Sequence, residues 1–301
     1  HGIVKQDNFL FRSRIHYLQK ILPLTLGEIR KLYVDTLSEI YERSEATTIA
    51  RFMFEEVMQL NSLYQSLQTH LILTVEQERV LLEYLARLKK KEPFQHVLGF
   101  ELFYGCKFKV NPDVLIPRPE TEELVQWIVE NEQQAKSIID IGTGSGCIAV
   151  SLAKNLPNVH VDAVDVSEKA IDMAKANAVL NNAEVNFSVL DILHSTPSKQ
   201  YDVIVSNPPY IGDDEKKLMD DNVLLYEPHL ALFPENQPLL FYQRISEIGQ
   251  QTLPSGGRLY FEMNEFYAQE IAVIVKQLGY IEYTIKKDIN GKDRMLRAVK
   301  S

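Results

Sequence analysis

The 301-residue chain reads as an α/β protein: a mainly parallel β-sheet with helices on both faces, preceded by a small all-helical domain. From about Leu26 to Lys91 apolar residues recur at helical spacing, as in Ile29, Leu32, Tyr33, Leu37 and Ile40, then Phe52, Val57, Leu60 and Leu63. After Pro112, short apolar runs of strand type (137–140, 159–164, 185–189, 203–205 and 258–262) alternate with helical stretches. The first of these runs leads directly into Gly142, Gly144 and Gly146 and then an apolar helix, the strand, turn and helix order of a nucleotide-binding unit.

The elements follow in chain order. Residues 1–25 open on His1 rather than methionine and are set aside as an N-terminal extension, a processed end or a cloning remnant. Thr25 with Glu28, and Thr74 with Gln77, have the capping-box spacing, which predicts helices beginning near Leu26 and Val75. The helical domain spans 26–92 and ends around Lys89, Lys90 and Lys91, before Pro93. Within the linker 93–112, residues 100–110 alternate large apolar and polar side chains around Gly105, as a β-hairpin does. Residues 113–301 form the sheet domain, with ligands expected beyond the carboxyl ends of its strands.

The totals exclude several classes. A 45% hydrophobic, 24% charged chain is globular rather than disordered. Its formal net charge of -9 and pI of about 5.4 oppose a phosphate-gripping surface, so no direct nucleic-acid partner is expected. No apolar stretch is long enough to span a bilayer, and no membrane partner is expected. The two cysteines, Cys106 and Cys147, cannot build a disulfide framework, and the cytoplasm is the natural compartment. The seven histidines lack ligand spacing, so no metal is expected, and His96 and His229 read as structural or substrate-lining. The chain is expected to act as a monomer.

Asp140, Gly142, Thr143, Gly144, Ser145 and Gly146 form the glycine-rich turn. Glycines there let the main chain approach a bound nucleoside, although a GxGxG string alone also fits a plain tight turn. Asp165 ends the next strand about 20 residues on, where a carboxylate can accept both ribose hydroxyls, with Val166 beside it. The GxGxxG spacing that binds a pyrophosphate is absent, which favours S-adenosylmethionine over a dinucleotide. Asp191 is placed to accept from the adenine amino group and Ile192 to pack beside the ring, against the alternative of an ordinary turn.

Asn207, Pro208, Pro209 and Tyr210 follow the buried run 202–206 and should face the same crevice. An amide nitrogen is a poor nucleophile because its lone pair is delocalised, so it must be gripped and aimed. The Asn207 side-chain oxygen and the Pro208 carbonyl can accept the two hydrogens of an NH2 group, and paired prolines add no donors. Tyr210 offers a ring face to a planar substrate. Alone, Asn-Pro-Pro would be a turn. Beside a nucleoside loop it indicates methyl transfer to a planar nitrogen, with no dedicated base demanded.

With these motifs, the chain resembles the protein-(glutamine-N5) methyltransferases that modify peptide chain release factors. The resemblance covers about 26–299 and rests on residues 93–99, 103–105, 115–122, the glycine loop, 207–211 and 226–233, with 288–294 similar to the final hairpin. It implies a class I S-adenosylmethionine-dependent methyltransferase: a Rossmann-like seven-stranded sheet whose last strand is antiparallel, a linking hairpin and an N-terminal helical bundle. It further implies S-adenosylhomocysteine as product, the glutamine of a Gly-Gly-Gln loop as substrate held by Asn207 to Tyr210, and docking of the release factor with help from the bundle. Pro117, Arg118 and Thr121, by the same resemblance, belong to a loop that closes over the methyl donor, which Asn207 is also expected to touch; otherwise Pro119 simply opens a helix. Ile192 departs from the aromatic residue many relatives carry near the adenine.

Other readings stay open on the residues alone. A sister activity on a ribosomal-protein glutamine shares the catalytic motif. An adenine-N6 DNA methyltransferase would use the same four residues on a flipped base, against the acidic charge. A non-catalytic nucleoside-binding adaptor would have no use for Asn207 to Tyr210.

Overall fold

The computed structural model describes residues 23–210, 221–233 and 237–301, so most of the N-terminal extension and Ile211 lie outside the described residues. The chain divides into two units, one ending at Leu98 and the other running from Gly99 to Ser301.

The first unit is helical. Helices α1 (Leu26–Leu37) and α4 (Val75–Leu88) both begin with the capping boxes read from Thr25/Glu28 and Thr74/Gln77. Between them lie α2 (Arg43–Met58) and the short α3 (Ser62–Leu67). Ile29, Tyr33, Leu37, Phe54, Leu81, Leu85 and Leu88 close the core. Leu63, expected on the apolar stripe, is 64% exposed. The six-residue α3 instead turns Gln65 inward, where its amide donates to the Arg51 and Leu60 carbonyls. A fifth helix, α5 (Phe94–Leu98), was not foreseen. The Arg87 guanidinium secures it, donating to the His96 and Val97 carbonyls while paired with Glu92.

The second unit opens with the hairpin β1 (Phe100–Phe103) and β2 (Cys106–Lys109), turning at Tyr104 and Gly105. Then come α6 (Pro119–Asn131), β3 (Ser137–Ile141), α7 (Cys147–Asn155), β4 (His160–Asp165), α8 (Glu168–Leu180), β5 (Asn186–Val189) and β6 (Val203–Ser206). The remainder is α9 (Asp221–Tyr226), α10 (His229–Leu232), α11 (Leu240–Thr252), β7 (Arg258–Glu262), α12 (Ala268–Gln277), β8 (Tyr280–Lys287) and β9 (Asp293–Lys300). The sheet order is β5-β4-β3-β6-β7-β9-β8, and β9 runs antiparallel to both of its neighbours.

Side chains alternate across the sheet, so Ile138, Val161, Val203 and Val205 face one core with Leu124 and Ile128 of α6 and Ile148 of α7. Ile139, Val164, Ile204, Leu259 and Phe261 face the other, with Tyr242 and Ile245 of α11 and Ile271 of α12. Burial on both faces explains why these strands read as continuous apolar runs. The hairpin, expected as a linker, is fastened within this unit to α8: the Asn177 amide exchanges bonds with the Lys109 backbone, and Asn181 donates to the Lys107 carbonyl. The chain leaves β3 towards β4 on one side and returns through β6 on the other, which puts the switch point of the sheet between β3 and β6.

Candidate active site

The register assembles the site. Ile141 of β3 lies opposite Val164 of β4 and Ser206 of β6, and Ser206 lies opposite Phe261 of β7. The next residue of each strand end, Gly142, Asp165, Asn207 and Glu262, therefore falls along one line at the carboxyl edge of the sheet. The buried Ser206 hydroxyl donates to the Ile141 carbonyl at 2.7 Å and ties the two central strands at this edge.

On one side of the line lies the glycine loop. Gly142 and Thr143 donate their N–H groups to the Val164 carbonyl at 2.8 and 3.0 Å, and Gly144 N–H donates to Asp165 Oδ2 at 2.9 Å. Asp165 Oδ1 accepts from Ser167 N–H at 2.9 Å, so backbone N–H groups aim both oxygens. Burial raises the Asp165 pKa. Beneath the loop, Asp140 is fully buried; its Oδ2 accepts from the Thr143 hydroxyl at 2.7 Å, and its Oδ1 has no hydrogen-bond partner among the described residues. Burial pushes the Asp140 carboxyl up to about 7. Space is open where a Cβ would stand on Gly144, so the loop presents bare backbone. An orphaned buried carboxylate oxygen beneath an open glycine cradle fits a cationic nucleoside such as S-adenosylmethionine.

Gly146 differs. It caps α7 at φ +81°, and a Cβ there would stand 2.9 Å from the Cβ of Ala174 on α8. Gly146→Ala is expected to lower stability by roughly 1–3 kcal/mol through backbone strain alone, read as a shifted urea midpoint at unchanged slope. Ser145 is buried, and its carbonyl accepts from Asn177, the same side chain that holds the hairpin. Val166 stands 46% exposed after Asp165. Asp191 closes its own turn, accepting from Leu193 N–H and pairing with His194, whose hydrogen bond lowers the Asp191 pKa. Ile192 is buried, and its carbonyl accepts from Arg244 of α11.

On the other side, Asn207, Pro208 and Tyr210 line a cavity of about 400 Å³ with Leu115, Arg118, Asn222, Val223, Ala231, Leu232 and Glu262. Pro209 is half-buried, and Tyr210 packs against the core that includes Tyr242. Pro117 is buried, and Pro119 opens α6 as its first residue. The Arg118 guanidinium donates to the buried Glu227 carboxylate, whose second oxygen accepts from Ile116 N–H at 3.1 Å. This pair joins the segment before the sheet to the segment that follows the Asn207 motif. Nearby, His229 bonds the Leu224 carbonyl and meets the Phe233 ring edge-on.

Thr121 is buried and lies between Asn207 and Glu262. Its hydroxyl donates to Glu262 Oε2 at 2.6 Å, and the Asn207 amide nitrogen approaches Thr121 Oγ1 at 3.4 Å. Burial pushes Glu262 up to about 7, against the Thr121 bond and the nearby Arg294 charge. Arg294 is held by Asp288 and the Met263 carbonyl. Glu227, Glu262 and Arg294 were not singled out in the sequence. The signal for Glu262 was present: a lone carboxylate closing an apolar strand at the ligand edge of the sheet. Among the described residues no group of three or more His, Cys, Asp or Glu is placed to hold a metal ion, and no helix is long and apolar enough to cross a membrane.

Comparison with known proteins follows this division. The model of the PrmC N-terminal domain matches residues 28–99, and that of the methyltransferase small domain matches 119–230. A release factor glutamine methyltransferase of Flavobacterium psychrophilum is 44% identical over 285 residues, covering 91% of this chain and 99% of that one. The protein of the same name from Bacteroides thetaiotaomicron is 43% identical over 266 residues, covering 87% and 96%. A crystal structure of a methyltransferase from Pyrococcus furiosus superimposes with a TM-score of 0.52 over 76% of this chain and all of that one, at 19% identity, and shows a shared fold. The chain is thus an enzyme with a class I methyltransferase fold, and it belongs to the family of release factor glutamine methyltransferases.

Proposed function

We propose that the chain transfers a methyl group from S-adenosylmethionine to the side-chain amide nitrogen of the glutamine in the Gly-Gly-Gln loop of a peptide chain release factor. The observation that carries this reading is the placement of Asn207 and Pro208 on the wall of a cavity whose neighbouring strand end is the open glycine cradle. Family membership supports the choice of a release-factor glutamine over a ribosomal-protein glutamine or a nucleic-acid nitrogen.

When bound, S-adenosylmethionine supplies an electrophilic methyl carbon. Asp140, through its orphaned oxygen, would take the ammonium of its amino-acid part, with the backbone of Gly142 to Gly146 as floor. Asp165 would hold the ribose hydroxyls, Val166 and Ile192 would pack on the adenine, and Asp191 would face its amino group. Pro117, Arg118 and Thr121 would close the near wall. Asn207 Oδ1 and the Pro208 carbonyl would accept the two amide hydrogens and so fix the plane of the nitrogen. Tyr210 would lie against the amide face. The nitrogen's proton would pass through these acceptors to water as the new bond forms. The helical segment 26–92 would help dock the release factor, and such a substrate places the work in the cytoplasm.

Incubating the protein with a release factor and methyl-labelled S-adenosylmethionine should label the factor, and changing its loop glutamine to alanine should remove the label. Label surviving on the altered factor, or appearing instead on a ribosomal protein, would overturn the substrate assignment.

A further inference from the structure

We propose that Thr121 and Glu262 are positioning residues that fix which way the Asn207 amide points. The inference rests on the functional reading above for what Asn207 holds, but its geometry stands apart from it. Resonance makes the two ends of an asparagine amide almost alike in shape, so nothing in packing alone decides whether oxygen or NH2 faces a substrate. Here the hydrogen bonds behind the side chain decide it.

Above about pH 7, to which burial pushes it, the Glu262 carboxylate is ionised and can only accept. It takes the single hydroxyl proton of Thr121 at 2.6 Å. Thr121 Oγ1 is left with lone pairs, and these face the Asn207 amide at 3.4 Å. The groups that bond the Asn207 side chain from behind, Thr121 Oγ1 and through it Glu262, are thus acceptors, which its NH2 group satisfies. That leaves its oxygen for the cavity that Asn207 and Pro208 line. A wall built of acceptors receives an NH2 group and repels a carboxylate. The relay thus selects the primary amide of glutamine against the isosteric carboxylate of glutamate. Arg294, held by Asp288 and the Met263 carbonyl, lends Glu262 the positive neighbour that favours its ionised, acceptor-only form.

The three residues come from α6, the turn after β6 and the end of β7, and Thr121 and Glu262 are 141 positions apart in the chain. Beside the place at the methyl donor that the resemblance implies for Thr121, its hydroxyl meets Glu262 and Asn207.

The test uses the full chain and the variants Thr121→Val, which keeps the shape and removes the hydroxyl, and Thr121→Ser, which restores it. In transfer assays on a release factor, Thr121→Val should lower kcat by roughly 10- to 50-fold, the loss expected when orientation is removed, with KM and the Kd of S-adenosylmethionine within about threefold. Thr121→Ser should recover kcat to within about threefold of the parent. In parallel, selective 15N-asparagine labelling should show the Asn207 side-chain NH2 signals, assigned by their loss in Asn207→Ala, displaced in Thr121→Val and restored in Thr121→Ser. The proposal is overturned by an unchanged kcat in Thr121→Val, by a Ser variant as slow as the Val variant, or by donor affinity falling as far as kcat. Identical Asn207 signals in Thr121→Val and parent overturn it too. That spectroscopic reading needs no turnover, so it decides the relay even where the parent labels no release factor, an outcome that would sink the functional reading instead.

Discussion

Replacing Asn207 with alanine will leave the methyl donor bound but slow transfer by roughly 100-fold or more, because the side chain aims the acceptor nitrogen rather than binding the nucleoside. Its placement supports the separation: the side chain lines the substrate cavity and leans on Thr121, whereas the glycine cradle is built by Gly142 to Gly146 and Asp165. Calorimetric titration with S-adenosylmethionine beside a single-turnover rate measures both quantities. Donor affinity that drops in step with the rate would remove Asn207 from the role given to it.

Asp140→Asn will act in the opposite sense on binding and on stability. The donor should bind roughly 10- to 100-fold more weakly, the cost of removing a charged hydrogen-bond partner from a buried site. The unliganded protein should gain stability at alkaline pH. The sign follows from linkage. Asp140 and Glu262 are both fully buried and both pushed up to about 7. Between about pH 4 and 7 the folded protein holds protons that the unfolded chain has already released, so stability falls as pH rises through that window. The slope is at most about 1.4 kcal/mol per pH unit for each group, and the loss is complete above about pH 8. Urea unfolding from pH 5 to 8 should show the decline in the parent and a shallower one in Asp140→Asn. A flat parent profile would mean that these carboxyls are not strained by burial.

What was legible in the sequence was whatever local chemistry decides. The capping boxes at Thr25 and Thr74 start their helices as read, because both partners sit within one turn. Strands β3, β4, β6 and β7 could be read because burial on both faces requires apolar runs. By contrast β8 is largely exposed at the sheet edge, and only the family resemblance pointed to the terminal hairpin. Helix α5 escaped notice because its support, the Arg87 guanidinium, reaches it through tertiary contact rather than through its own five residues. Glycines and Asn-Pro-Pro marked the two halves of the site by composition. The side chains that orient them, Thr121 with Glu262 and Arg118 with Glu227, could not be paired from the sequence, since each pair is more than 100 positions apart.

Asn177 has a mechanical meaning beyond its hydrogen bonds. It is wholly buried in α8, donates to the Lys109 and Ser145 carbonyls and accepts from Lys109 N–H, so one side chain rivets the hairpin, the helix and the glycine loop at a single point. A force applied to the hairpin would reach the glycine loop after crossing one residue. The hairpin is therefore a lever on the glycine loop, and a chain that loosened this rivet would soften both together.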